Sequence, residues 1–298
     1  MRVELATEPG SPHRPNEDFV SVSLPASGLG GTLVVLDGVT PPDGDDGCVH
    51  DVPWFVARLG GALGELSVSR RDMGLAEILS RAIARTADTH RDACELSHPR
   101  TPQATVVLAR WGAERVEYLV LSDSVLLAES PAGEVSVVAD DRLDRLPERV
   151  TRAREAVHAL PEASPGRAEA VRAYVTAVES CRNTEGGFFT AAADPSVASR
   201  AVTGSWARTE VRTLVGLTDG AGRWVDSFGE GDWTDCFRFL RKAGPQGLVD
   251  RVRELERARE SELERARQSE PERSGAAPGG VRGRSKAHDD ATVVWAEL

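Results

Sequence analysis

Acidic residues stand where apolar runs stop or start: Glu17-Asp18 before FVSVSL, Asp37-Gly38 after LVVL, Asp219-Gly220 after VRTLVGLT and Asp289-Asp290 before ATVVWAEL. A single Asp-Gly is an ordinary turn signal and carries little weight. Recurrence carries more. Acids at strand ends this far apart in sequence can meet only if one sheet assembly gathers them, and a cluster of hard carboxylate oxygens suits hard divalent cations. Asp37 ends the most apolar of these runs and is the natural centre of such a site.

The positioning elements follow from periodicity. Phe19–Leu24 alternates Val20, Val22 and Leu24 against serines, a strand with one buried face, and is read as the first element of the chain. A glycine-rich turn at Gly28–Gly31 returns it as a hairpin into LVVLDG. Pro41–Asp51, rich in Asp, Pro and Gly, is a loop, either solvated or at the rim of the metal site. Helical stripes follow at Trp54–Leu66 (Phe55, Leu59, Ala62, Leu63, Leu66) and at Leu75–Thr86 (Ile78, Leu79, Ala82, Ile83). Strands are expected at Ala104–Arg110, Val116–Leu121, Val125–Ser130 and Glu134–Asp140, with short turns that predict antiparallel pairing. One turn, Ser122-Asp123-Ser124, presents a further acid.

From Arg145 to Arg182 the pattern is helical, broken by PEASP, and reads as either a flap or a packed helical hairpin. GGFFTAAAD, Gly186–Asp194, predicts a strand, and Asp194-Pro195 the start of a short helix. Two more helices are expected, Trp233–Ala243 and Gly247 to about Gln268, the second with a solvated face of Glu and Arg three apart, Glu256 with Arg259 among them. A flexible connection, Ser274–His288, leads to the last strand. The whole reads as a single α/β domain over 1–298, antiparallel sheets covered by helices, with the 145–182 segment as a divergent insertion.

The chain carries 36 basic against 47 acidic residues, a net charge of −11. That argues against nucleic acid or an anionic membrane as the main partner, and a phosphate substrate would need metal ions or a well-placed arginine to reverse the local field. With no apolar leader and no run of membrane-spanning length, a cytoplasmic protein is expected. Its four cysteines are too sparse for a disulfide framework. Cys48 with His50, and Cys94 with His98, could supply zinc ligands, although neither spacing matches a common finger or ribbon.

In order, NED, LVVLDG, LSDS, LTDG and DDATVV resemble the motifs of the metal-dependent protein phosphatases, the PPM or type 2C serine/threonine phosphatases. The resemblance runs from about Arg14 to Leu298 and is weakest at Arg145–Arg182. It implies a four-layer α-β-β-α sandwich and hydrolysis of phosphoserine or phosphothreonine by water activated between two Mn²⁺ or Mg²⁺ ions. No phosphoenzyme is implied. Asp37 then resembles the bridging ligand, Gly38 the backbone carbonyl ligand and Glu17 the partner acid of the first metal. Asp219 and Asp289 resemble ligands of the second, and Asp123 an acid that shares a third metal with Asp219. Asp18 and Asp290 would orient waters or ligands, and Arg14 would bind the substrate phosphate.

The implied partner is a phosphorylated protein, met by a monomer or weak oligomer. The chain departs from the family where His-Gly-Gly commonly follows the central Asp-Gly. Here Val39-Thr40-Pro41 stands, so the candidate general acid is missing, with His13 or His50 as nearby substitutes. Ser122 replaces a usual Gly. These departures leave an alternative open: a pseudophosphatase or phosphate-sensing module that binds metal with little turnover.

Overall fold

The computed structural model describes residues 1–25, 28, 30–42, 44–161, 164–269 and 288–298. Residues 274–287 of the expected flexible connection lie outside these. Among the described residues ten strands form two antiparallel sheets. One has the order β1-β10-β9-β6-β7, built from β1 (Arg2–Glu8), β10 (Ala291–Glu297), β9 (Thr213–Leu217), β6 (Val125–Glu129) and β7 (Val135–Val138). The other has the order β2-β3-β4-β5-β8, from β2 (Phe19–Ser23), β3 (Gly31–Leu36), β4 (Val106–Trp111), β5 (Arg115–Leu121) and β8 (Val202–Ala207).

The unbroken apolar run of β3 has a direct cause. Val34 and Leu36 pack against α1 (Val52–Ser69) and α2 (Leu75–Asp88), while Leu33 and Val35 face the opposite sheet. A strand buried on both faces has no polar side, so it loses the alternation of a half-exposed strand. Strand β10 repeats this arrangement. Val293 and Trp295 pack toward α5 (Asp219–Asp226) and α6 (Trp233–Ser269), and Val294 and Ala296 fill the space between the sheets. Three apolar layers thus separate four layers of structure, helices outside and sheets inside, the α-β-β-α sandwich.

Four sequence expectations need correction. The chain begins with β1, paired along its length with β10, so Phe19–Ser23 is the second strand. Strands β5 and β6 do not pair, despite the three residues between them: the turn, with Ser122 at φ 68°, carries the chain from one sheet to the other. GGFFTAAAD is not a strand but makes single bridges, Ala191 with Ala104 and Phe188 with Arg182. The edge strand lies further on, at β8, where half-exposed alternation and Gly204, packed under the Tyr118 ring, hid it. Finally, Glu256 does not sit on a solvated face: its side chain is 0% exposed and pairs with Arg223 at 2.5 Å and Arg253 at 2.7 Å.

Other expectations hold. Asp194 caps a 3₁₀ turn at Pro195–Arg200, accepting from the Ser196 N–H. Gly244, at φ 75°, with Pro245 after it, splits α6 at the expected break. Helices α3 (Glu148–His158) and α4 (Arg167–Glu179) form a helical hairpin over a small core of its own, where Tyr174 and Val178 pack on Val150, Cys181 and Phe188. The Arg100–Glu179 ion pair, 2.9 Å, ties its far end to the loop before β4.

Candidate metal centre

Both sheets end at one seam, and the chain meets it repeatedly. Asp290, just before β10, accepts the Glu17 N–H and the Gly10 N–H, each at 2.7 Å. This one carboxylate holds the loop between β1 and β2 in register with the last strand. Glu17 is buried, and its carboxylate accepts a hydrogen bond from the Thr40 hydroxyl. Thr40 stands in the stretch that departs from the family pattern, and sequence reasoning had assigned it no role.

Asp37 follows β3 directly. Its carbonyl accepts from Thr105 N–H at 2.9 Å, and its own N–H donates to the Thr105 hydroxyl at 3.3 Å. That hydroxyl is hydrogen-bonded to Ser124 at 2.6 Å, so the backbone of Asp37 is linked to the turn that carries Asp123. Gly38 donates to the Glu17 carbonyl at 3.1 Å. A Cβ at Gly38 would come within 2.4 Å of that carbonyl and 2.3 Å of Val52 Cγ1, which explains why glycine occupies the position.

Asp18 is the most perturbed acid. Burial, then the neighbouring charge of Asp37, holds its carboxyl well above the ordinary carboxylate range, although Thr218 Oγ1 donates to Asp18 Oδ2 at 2.9 Å. Thr218 in turn is the N-cap of α5 and accepts the Thr292 N–H at 2.9 Å. Asp219 occupies the first turn of that helix, where the helix dipole favours an anion. Gly220 passes so close to the Asp290 carbonyl that a Cβ would lie 1.9 Å from it. The Asp219 and Asp289-Asp290 segments are therefore locked backbone to backbone.

Asp123 is presented by the strained turn at Ser122. The Ser122 N–H donates to Asp140 Oδ2 at 3.0 Å, and Arg142 pairs with the same carboxylate at 2.7 Å. Asp140 is thus a positioning residue for Asp123, which periodicity alone had assigned to the end of a strand. Asp123 and Asp219 line a cavity of about 380 Å³ whose lining also includes Val150, Arg154, Tyr174 and Val178 of the helical hairpin. A smaller cavity, about 40 Å³, is lined by Arg14, Glu17, Thr40, His288, Asp289 and Asp290. Arg14 is 61% exposed at its rim, with its guanidinium 4.0 Å from Glu17 Oε1.

His288 was also missed. Its ring lies 2.7 Å from Glu256 Oε2 and 3.1 Å from Glu260 Oε1, so both nitrogens face carboxylates and the side chain serves as a strut between α6 and the Asp289 loop. Of the histidines weighed as substitute acids, His13 is exposed on the loop before Arg14, and His50 turns its Nδ1 toward two thiols.

The donor set can be tested against the expected ions. It consists of carboxylates and a glycine carbonyl, with neither thiolate nor imidazole, and Asp18 packed beside Asp37 is raised by burial first and then by the Asp37 charge, a crowding of acids that a dication would relieve. Such a set fits Mg²⁺ or Mn²⁺ better than zinc.

The two sheets, their order and the flanking helices define the fold of the PPM, or type 2C, serine/threonine phosphatases. Solved structures carry this likeness. Serine/threonine phosphatase Stp1 from Staphylococcus aureus superposes with a TM-score of 0.52 over 99% of this chain and 94% of that one, at 12% identity. A bacterial serine phosphatase gives 0.52 over 100% and 97%, at 14% identity. A C. elegans sex-determining protein gives 0.55 over 99% of this chain and 64% of that one, at 13% identity. No protein-family model and no curated sequence matches the chain. Among the described residues no helix is long and apolar enough to cross a membrane.

Proposed function

We propose that the protein is a metal-dependent phosphomonoester hydrolase acting on phosphoserine or phosphothreonine in proteins. The observation that carries this reading is the clamp of Asp290 on Glu17 and Gly10, with Asp18 enclosed beside Asp37: acids from both ends of the chain are held in one carboxylate cluster. Two hard divalent cations, with Asp123 and Asp219 as the proposed holders of a third, would supply a Lewis acid that makes water nucleophilic at neutral pH and offsets phosphoryl charge.

The chain's own residues have distinct tasks. Asp37, Glu17, the Gly38 carbonyl, Asp219 and Asp289 are the proposed metal ligands. The Thr40 hydroxyl orients Glu17 through its hydrogen bond to the carboxylate. Asp18 and Asp290 hold the loops that present those ligands. Arg14, exposed on the cavity rim, orients the phosphate, since its planar fork can donate two parallel hydrogen bonds to phosphoryl oxygens. The hairpin of α3 and α4 walls the larger cavity and is suited to contact the protein part of the substrate.

Release of phosphate from phosphopeptides by the purified chain, with Mn²⁺ or Mg²⁺ and an EDTA control, tests this reading. Metal-dependent turnover is expected. Tight metal binding without turnover of phosphopeptide or aryl phosphate would replace the hydrolase with the interaction module.

A further inference from the structure

Away from the carboxylate cluster, the fold assembles a second group of ligating side chains. Cys48 and His50 lie in the Pro41–Asp51 loop, and His90 and Cys94 lie just beyond the C-terminus of α2. One ligand atom from each falls within 4.8 Å of all the others. Cys48 Sγ is 3.4 Å from His90 Nδ1 and 3.8 Å from His50 Nδ1, and Cys94 Sγ is 3.4 Å from His50 Nδ1. Ligands at Zn–S and Zn–N lengths of about 2.3 and 2.0–2.1 Å on a tetrahedron stand roughly 3.5 Å apart from sulfur to nitrogen. The sulfur-to-nitrogen distances here already cluster around that edge.

We infer that Cys48, His50, His90 and Cys94 form a structural tetrahedral Zn²⁺ site that clips the loop after Asp37 to the end of α2. Two thiols and two imidazoles are the ligand set that selects zinc over the hard cations suited to the carboxylate site. The thiols lose two protons on binding, so the dication is neutralised by two thiolates. The two sulfurs are 2.8 Å apart, beyond disulfide length and closer than the roughly 3.8 Å edge of a zinc tetrahedron, so binding would spread them. A disulfide would give no reason for both imidazole Nδ1 atoms to face the sulfurs. The surroundings are consistent with a closed structural site. Val49 N–H donates to Cys94 Sγ at 3.4 Å, Glu95 N–H donates to the Gly47 carbonyl at 2.7 Å, and the Trp54 ring stacks on His50 with centroids 3.9 Å apart.

The site has a clear structural use. The Pro41–Asp51 loop contains few apolar residues, and its described residues form no helix or strand, so burial alone gives it little to offset its conformational entropy. Its near end is tethered where Thr40 bonds Glu17, and its far end supplies Asp51, whose carboxylate caps α1 by accepting the Trp54 N–H at 2.9 Å. Zinc would fasten the stretch between. Sequence reasoning paired Cys94 with His98; the fold selects His90 instead, because the turn after α2 brings it to Cys48, while His98 Nδ1 accepts the Arg100 N–H at 3.2 Å.

The test is elemental analysis and cobalt spectroscopy of the full chain purified under reducing conditions. One zinc per chain is expected, replaceable by Co²⁺ with a thiolate charge-transfer band and the strong visible bands of tetrahedral cobalt. Cys94→Ser should lower zinc affinity by more than the ~100-fold that loss of a supporting hydrogen bond costs. Asp37→Asn should leave zinc in place, which separates this site from the carboxylate cluster. Should Cys94→Ser fail to fold, the half-buried loop variant His50→Ala carries the same expectation, and the cobalt spectrum of the unaltered chain needs no variant. The inference is overturned if the reduced chain binds no zinc, if it holds a Cys48–Cys94 disulfide instead, if its cobalt form shows no thiolate band, or if zinc is lost with Asp37→Asn but kept in Cys94→Ser and His50→Ala.

Discussion

Glu17 N–H donates to Asp290 Oδ2 at 2.7 Å across 273 positions of sequence, while the other oxygen of the same carboxylate accepts from Gly10. A carboxylate can accept on both oxygens; an amide offers one acceptor and one donor. Asp290→Asn therefore leaves one backbone N–H facing an NH₂ group, and a loss of about 1–3 kcal/mol is expected. Metal affinity should fall with it, because Glu17 is no longer held. Thermal unfolding and Mn²⁺ calorimetry on the same variant measure both, and unchanged values would remove Asp290 as a support of the site.

Asp37→Asn should abolish turnover and weaken binding of both ions, since charge density dominates hard-cation binding and Asp37 is the proposed bridge. Its backbone contacts to Thr105 do not depend on the side chain, so the fold should survive. Calorimetry decides the point: wild-type stoichiometry and affinity would move the centre of the site elsewhere.

Arg14→Lys keeps the charge and loses the fork. Metal binding should stay nearly intact while inhibition by inorganic phosphate weakens and KM for phosphopeptide rises. Equal inhibition of variant and parent would leave Arg14 as a surface residue beside the cavity.

At Val39 the prediction concerns the leaving group. An alkoxide gains from protonation, whereas an aryl phosphate departs readily as its anion, and a placed general acid is worth on the order of 10²–10⁴-fold. The parent should therefore favour p-nitrophenyl phosphate over phosphopeptide by a wide margin, and Val39→His should narrow it by raising phosphopeptide turnover. Comparable, brisk parental rates on both substrates would show that another group already supplies the proton.

Ser122 sits at φ 68°, a region costing L-residues roughly 1–2 kcal/mol. Ser122→Gly should be tolerated to within about 1 kcal/mol, relief of strain offsetting glycine's extra unfolded-state entropy. Ser122→Val should destabilise by about 1–3 kcal/mol, since a β-branched side chain fits this backbone poorly. Denaturant melts of the pair test this, and equal stability of the two variants would mean that the turn relaxes.

Much of this architecture was legible in the chain itself. Apolar runs with no polar face marked strands buried on both sides, as at Leu33–Leu36, and helical stripes placed Phe55, Leu59, Ile78 and Ile83 in the core. Acids abutting those runs located the ends of the strands, because local pattern reports local burial. Pairing across the fold was not legible. Whether β5 pairs with its neighbour in sequence or the chain crosses to the other sheet at Ser122–Ser124 is set by the partners β4, β8 and β9 that packing supplies, and β1 could be recognised as a strand only through the register of β10. Charge told least. Glu256 looks like any solvated glutamate of a Glu- and Arg-rich helix until the fold sets Arg223, Arg253 and His288 around it, and His90 meets Cys48 only where the turn after α2 reaches the loop before α1. Periodicity is a property of neighbours in sequence; the partners of a buried charge or a metal ligand come from segments that tertiary packing alone brings together.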